Sequence, residues 1–560
     1  MEGRVDRRAW WCALLLALPL GAAGWYTYKI DALDRQGMLS SPEVALFSWT
    51  DLWIWIGFAA AAAPLLYWLL QQCRGLSWKV SSAGIPRVGP AAACLFLAWL
   101  PVLFVFYPAA GMNDTVYMME NPLRGSIQFP WAPTLFWGEG ARLWQEWFGS
   151  REGFIAASVL LQMALMAAGL AWASLAAARL AGCTPAGWGL LLYFALFPMC
   201  GNYAAAAVRD PLYSLALLGW MILLARGAAG RDVSLVPAGL FFLGLMVLRN
   251  NGIYVSLLLA AALAYLTGKR RVWLLFLGCA LASVLPGAWI LRSIGEEPLF
   301  QEAAAVPLQQ AGRVLVTGGV MDEEMKKLLV SYLPEEKWRA GYSPYTVDFV
   351  KWDPAFRHDR MTETKRAFLA GWARTGMKNP GIYAAGWMTE TYALWNLDPL
   401  EHQVQSRFGW ALTDEGTAHM EPADNDRINL GSLSLPSWLT QAVVWYSFEG
   451  SRFLGAGLCL WISLFIGALF YVQRRGRLAL CCLPLWANAA TLLVSTPASA
   501  VFRYSFAFVL GLPVLLVLAG GRKSFIKEQE KPHGMCKKSG YAGSAGEKEQ
   551  DRGPGKERQE

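Results

Sequence analysis

The chain is divided into apolar runs about as long as a bilayer's hydrocarbon core is thick, and short clusters of Lys and Arg separate many of them. A spanning helix needs about 20 mostly apolar residues. Runs near that length occupy 9–28, 52–71, 88–107, 154–178, 186–205, 210–226, 233–248, 251–267, 272–291, 452–473, 477–495 and 500–519. Hydrocarbon offers no hydrogen-bond partner to the backbone, so such a chain must satisfy its peptide groups inside helices. The expected fold is an all-α polytopic membrane protein of about 12 transmembrane helices. The first run follows Arg4, Arg7 and Arg8 as a signal peptide would, but no small-residue cleavage site follows it. It is expected to stay as a first span.

Composition agrees. Hydrophobic residues make up 55% and charged residues 16%, against about 45–50% and 25% in a soluble domain. The 28 tryptophans suit the headgroup level of a membrane. A net charge of +8 could suggest nucleic acid, but the basic residues lie in clusters between apolar runs rather than on one soluble face. No nucleic-acid partner is expected. The ten cysteines lie in or beside apolar runs or in segments expected inside, and form neither a disulfide framework nor a zinc motif.

The positive-inside rule orients the runs. With the N-terminus inside, the inner connections hold Arg74, Lys79 and Arg87, then Arg179, then Arg226 and Arg231, then Lys269, Arg270 and Arg271, then Arg474, Arg475 and Arg477. Both termini are then cytoplasmic, in a bacterial plasma membrane. Residues 1–87 form two N-terminal spans, 88–291 a transmembrane module with an outer loop at 108–153, and 292–451 an extracytoplasmic segment. Residues 452–519 form three C-terminal spans and 520–560 a cytoplasmic tail. The outer segment is the size of a small domain. It is expected to be mainly helical, with helices near 361–377 and 380–396, the second opened by Pro380. The tail, rich in Lys, Glu, Gly and Gln, is expected to be disordered.

No phosphate loop, HExxH or GxSxG motif is present, and the four histidines are scattered. What asks for an explanation is ionisable residues near the outer ends of spans, where desolvation is costly. Asp114 follows the third run in Tyr107-Pro-Ala-Ala-Gly-Met-Asn-Asp-Thr115. Arg209-Asp210-Pro211 opens the sixth, Arg249-Asn250-Asn251-Gly252 joins the seventh and eighth, and Phe502-Arg503-Tyr504 begins the twelfth. Each has an ordinary alternative. Asp114 suits a turn or cap, Asp210 an N-cap before Pro211, and Arg249 and Arg503 snorkelling side chains. Together they bring several cations and one or two carboxylates to one membrane face. That set suits a phosphate and a hydroxyl, because the guanidinium fork donates two hydrogen bonds at once.

This order of elements resembles the GT-C class of membrane glycosyltransferases, which includes protein mannosyltransferases and lipid A aminoarabinose transferases. It is similar also to a group of such proteins from Gram-positive bacteria, through the Phe129-Pro130-Trp131 region, Arg209-Asp210-Pro211-Leu212-Tyr213, Arg249-Asn250-Asn251-Gly252 and Phe502-Arg503-Tyr504. The GT-C module would begin at the third run, leaving the first two as an addition. The resemblance implies a polyprenyl-phosphate-linked sugar as donor, membrane lipid as surroundings, and a glycan, lipid or protein acceptor. It implies Asp114 as the base, and Arg209, Asp210, Arg249, Asn250, Arg503 and Tyr504 as the substrate and phosphate site. No cofactor and no metal ligand set is assigned; Asp210 would orient an arginine, or else bind a divalent metal. Trp131, Trp137, Trp144 and Trp147 would wall the acceptor side or anchor the interface. The mannosyltransferases have paired acidic residues in this loop, whereas Asp114 has no acidic neighbour before Glu120.

Two other classes fit the apolar pattern. A secondary transporter would carry related halves and polar groups near the bilayer centre. A non-enzymatic assembly or sensor protein would use 292–451 to bind a partner. The enzyme needs Asp114, Arg209, Arg249 and Arg503 to converge on one outward-facing cavity continuous with lipid, whereas a transporter needs a site near the bilayer centre.

Overall fold

The computed structural model describes residues 6–36, 48–79, 84, 86–110, 113–397, 433, 435–449, 455–495 and 502–521. The tail from Arg522 onward and the stretch 398–432 lie outside the described residues. Among the described residues every regular element is helical, and β-pairing is limited to isolated bridges. The first twelve helices are α1 (Arg7–Arg35), α2 (Trp49–Cys73), α3 (Val88–Val105), α4 (Asn113–Glu120), α5 (Trp131–Phe148), α6 (Arg151–Ala181), α7 (Thr184–Leu196), α8 (Pro198–Ala204), α9 (Asp210–Ala228), α10 (Leu235–Leu248), α11 (Gly252–Thr267) and α12 (Arg271–Ile294).

Among the described residues seven helical segments are long and apolar enough to cross a membrane: Arg7–Leu33, Trp49–Cys73, Val88–Val105, Arg151–Ala181, Asp210–Ala228, Arg271–Ile294 and Gly476–Val494. Five shorter apolar helices accompany them: Thr184–Leu196, Leu235–Leu248, Gly252–Thr267, Ala456–Val472 and Arg503–Ala519. The expected run 186–205 is two helices, because Pro198 has no N–H to continue α7 and instead opens α8. The joint between α10 and α11 is as tight as the sequence suggests. A Cβ on Gly252 would overlap the Leu245 carbonyl, so only glycine fits there.

Depth decides which helix can hold a site. In α9, 83% of the apolar window is buried, against 6% in α12. α9 packs on α6, α10 and the helix Phe506–Ala519, with Trp220, Met221 and Phe242 inside. The segment after α12 has a core of its own, built from Leu308, Leu329, Tyr332, Trp338 and Phe368. Here the expected helix 361–377 is divided at Thr364 into His358–Glu363 and Lys365–Lys378. Pro380 opens Pro380–Thr391 as expected, and a 3-10 turn, Tyr392–Leu394, follows.

Candidate functional site

The loop before α9 carries the site, and its backbone is held on three sides. Ala110 N donates to Ala205 O at 3.1 Å, and Ala207 N donates back to Ala110 O at 2.9 Å. Thr115 Oγ1 donates to Ala207 O at 2.5 Å. Gln162 of α6 donates through one amide nitrogen to the carbonyls of Tyr203, Ala204 and Ala206, at 3.3, 3.1 and 2.7 Å. Buried carbonyls need such partners. The same bonds tie the Asp114 segment to the Arg209-Asp210 segment, which are far apart in sequence.

Five charged side chains from four stretches of chain meet there. Arg249 Nη1 donates to Asp210 Oδ1 at 2.5 Å. Arg503 Nη2 lies 2.9 Å from Asp114 Oδ2, and its Nη1 lies 4.0 Å from Asp210 Oδ2. Arg209 Nη2 reaches the same Asp114 oxygen at 3.4 Å. Each carboxylate thus faces two guanidinium groups, and Arg503 joins the two halves. Asp210 is 1% exposed and the Asp114 side chain 18%, so Asp114 is the carboxylate that an incoming group can meet.

Aromatic rings seat the cations. Arg249 lies 4.0 Å from the Tyr504 ring centre and 5.5 Å from that of Tyr213. Arg503 lies 5.0 Å from the Tyr504 ring, and Arg209 4.7 Å from that of Phe129. Such contacts stabilise a desolvated guanidinium. Arg249, Arg503 and Arg209 are 7%, 8% and 8% exposed, so none is a snorkelling side chain. Asp210 caps no helix either; it opens α9 while its carboxylate binds Arg249.

Asn250 is exposed and donates to Gln128 O at 3.3 Å, at the margin of the cluster. Its neighbour Asn251 has the inner position, accepting from Arg249 Nε at 3.3 Å and donating to Thr491 Oγ1 at 2.7 Å. Asn488 extends this layer, accepting from Tyr213 OH at 3.1 Å and donating to Tyr504 O at 3.0 Å. Sequence reasoning misses Gln162, Asn488 and Thr491. The signal available is a polar residue inside an apolar run. The four tryptophans do not form one wall. Trp137 is buried, Trp131 donates to Ser283 O, Trp144 packs on Phe148, and Trp147 is 75% exposed.

Three guanidinium groups against two carboxylates leave the cluster one positive charge in excess. Arg209 Nε and Nη1 and Arg503 Nε are buried without a hydrogen-bond partner. Unmade bonds of this kind are costly, more so for a charged group. The arrangement can therefore hold one further anion. Among the described residues no three His, Cys, Asp or Glu side chains gather as a metal-binding group. Both aspartates face arginine instead.

The protein is thus all-helical among the described residues, with several helices long and apolar enough to cross a membrane and a cluster of buried charges at helix ends. Residues 117–535 match the model of a family of unknown function, DUF6020, and the chain belongs to that family. The match contains Arg209, Asp210, Arg249, Asn250, Arg503 and Tyr504, and begins three residues after Asp114. No curated protein and no solved structure matches the chain.

Proposed function

We propose that the protein is a membrane glycosyltransferase of GT-C type that moves a sugar from a polyprenyl phosphate to an extracytoplasmic acceptor. The carrying observation is the meeting of Asp114, Arg209, Asp210, Arg249 and Arg503, with net positive charge and unpartnered guanidinium donors. In this reading all twelve apolar segments span a bacterial plasma membrane with both termini inside. The shorter helices then lower the site below the outer surface. The 14 residues of α10 rise about 21 Å at 1.5 Å each, less than the roughly 30 Å of hydrocarbon. Arg249 would then sit at the depth of a lipid-borne phosphate.

The chemistry follows from the roles. The Asp114 carboxylate accepts the proton of an acceptor hydroxyl. The oxygen attacks the anomeric carbon as the bond from that carbon to the phosphate oxygen breaks. The electron pair leaves with polyprenyl phosphate, and the configuration inverts. Arg209, whose donors are least committed, stabilises the charge that develops on the leaving phosphate. Arg249 and Asp210 hold each other in place, and Arg503 links them to Asp114. A transporter reading would call for two related halves, and the sequence carries no such repeat.

The test is a transfer assay in membranes supplied with polyprenyl-phosphate sugars. Asp114→Asn should accumulate as the wild type does and lose turnover by about 10²–10⁴-fold, the usual contribution of general-base catalysis. Near-normal turnover in that variant would remove Asp114 from the chemistry.

A further inference from the structure

A second feature lies in the N-terminal hairpin, outside the residues that match the family. α1 and α2 cross closely at Gly21, where a Cβ would lie 2.7 Å from Ala59 N. α2 carries five consecutive alanines from this crossing on, 59–63, and the small side chains of Ala59, Ala60 and Ala63 border the space towards α1. What remains is a crevice of about 320 Å³ lined by Leu14, Leu18, Trp55, Ile56, Ala60 and Ala63, among other apolar side chains only. It is open to the surroundings, with Leu18 56% and Ile56 45% exposed.

The crevice lies below a basic cap. Arg7 and Leu14 are seven residues apart and share one face of α1, about 10 Å apart along the axis. Trp11, 62% exposed, lies one turn from Arg7 on the way down. Arg7 and Arg8 are exposed, and Arg8 lies 5.6 Å from the ring centre of Tyr471. Asp6, the described carboxylate at this end of α1, is engaged by Arg74 at 2.7 Å. Two cations at the end of α1, an indole one turn on and an apolar slot beyond it follow the layout of one lipid molecule.

We propose that the crevice between α1 and α2 seats an anionic glycerophospholipid. Its phosphate lies at Arg7 and Arg8, and one acyl chain runs past Trp11 into the slot between Leu14, Leu18, Trp55 and Ala60. The site requires a membrane setting but not the glycosyl-transfer reading. The occupant is a lipid rather than free phosphate, because the slot contributes only apolar contact.

Native mass spectrometry of the purified full chain tests this with phosphatidylglycerol, phosphatidylcholine of the same acyl chains, and glycerol phosphate. Phosphatidylglycerol should be retained over phosphatidylcholine, and glycerol phosphate should not compete. Arg7→Gln and Arg8→Gln should each weaken phosphatidylglycerol about five-fold, the effect of one basic residue near a membrane surface, and leave phosphatidylcholine unchanged. Ala60→Phe fills the slot from an exposed position and should abolish retention of both lipids. Phosphatidylglycerol with a brominated acyl chain should quench the fluorescence of Trp55, and Trp55→Phe should remove that component without filling the slot. Equal retention of the two lipids, full retention by Ala60→Phe, absence of the Trp55 component, or competition by glycerol phosphate would each overturn the proposal.

Discussion

Two buried clusters of charge in this protein solve the same physical problem in opposite ways. Around α9, charge is met by charge: Asp114 and Asp210 each face two guanidinium groups within 4.0 Å. In the segment after α12, one carboxyl is kept apart from the charges around it. Glu390 is 0% exposed and neither of its oxygens has a hydrogen-bond partner. Arg313, also 0% exposed, turns to the Thr389 hydroxyl at 3.1 Å. Lys351 is already taken by Asp348 at 2.8 Å and Glu302 at 3.0 Å. Burial opposes charge on Lys351, but these two carboxylates outweigh it and hold the ammonium above its usual range. Burial without a close cation pushes the Glu390 carboxyl well above the glutamate range, so it stays protonated. The first cluster pairs carboxylate with guanidinium and has donors to spare. The second sheds a charge, as an interior requires.

This contrast can be broken by removing partners. The largest stability effect belongs to Arg249→Leu. It leaves Asp210 buried without its hydrogen-bonded cation, with Arg503 4.0 Å away, and losing one member of a buried pair costs about 3–5 kcal/mol. Membrane yield and thermal unfolding should both fall sharply; an unchanged midpoint would mean that the pair contributes nothing. Gln162→Leu should cost less, about 1–3 kcal/mol, because it removes the donor that three buried carbonyls share while Tyr203 O and Ala206 O keep backbone donors. Because those carbonyls lie at the end of α8 and in the loop before α9, the variant should also lose turnover while Asp114 and Arg209 remain in the sequence.

The smallest effect is a matter of pH. Folded Glu390 keeps its proton where the unfolded chain releases it. Stability from this group is full below the ordinary glutamate range and declines as pH rises above it, towards the raised folded value. Glu390→Gln should therefore unfold at the same temperature as the wild type at acidic pH and at a higher one at pH 8. His358 titrates with the opposite sign, its imidazole pushed below its usual range by burial. The difference between variant and wild type at each pH isolates Glu390. A variant no more stable than the wild type at pH 8 would show that Glu390 is ionised in the fold.

The sequence makes the helices legible because apolar length and basic punctuation act locally. It makes Asp114, Arg209, Asp210, Arg249 and Arg503 legible because charge beside hydrocarbon is costly enough to need a reason. It does not reveal the stretch 203–208, the end of α8 and the loop after it, as the part that joins them, since those bonds use backbone carbonyls that any residue supplies. Asn250 and Asn251 are equivalent as letters. The turn set by Gly252 directs the second towards Arg249 and leaves the first exposed. Glu390, in Thr389-Glu-Thr391, looks like a surface residue until the packing of Pro380–Thr391 on Ala305–Thr317 encloses it.

The cluster around α9 is proposed as an anion site for a lipid-borne phosphate, with Arg209 as its least committed donor. Its most direct test is the dissociation constant of polyprenyl phosphate for the full chain, compared with that for Arg209→Gln. A charged hydrogen bond contributes about 1.5–3 kcal/mol, roughly 10- to 150-fold in affinity, and the variant should weaken by that factor while still folding. Equal affinity in the two proteins, or no binding by the wild type, would contradict the account.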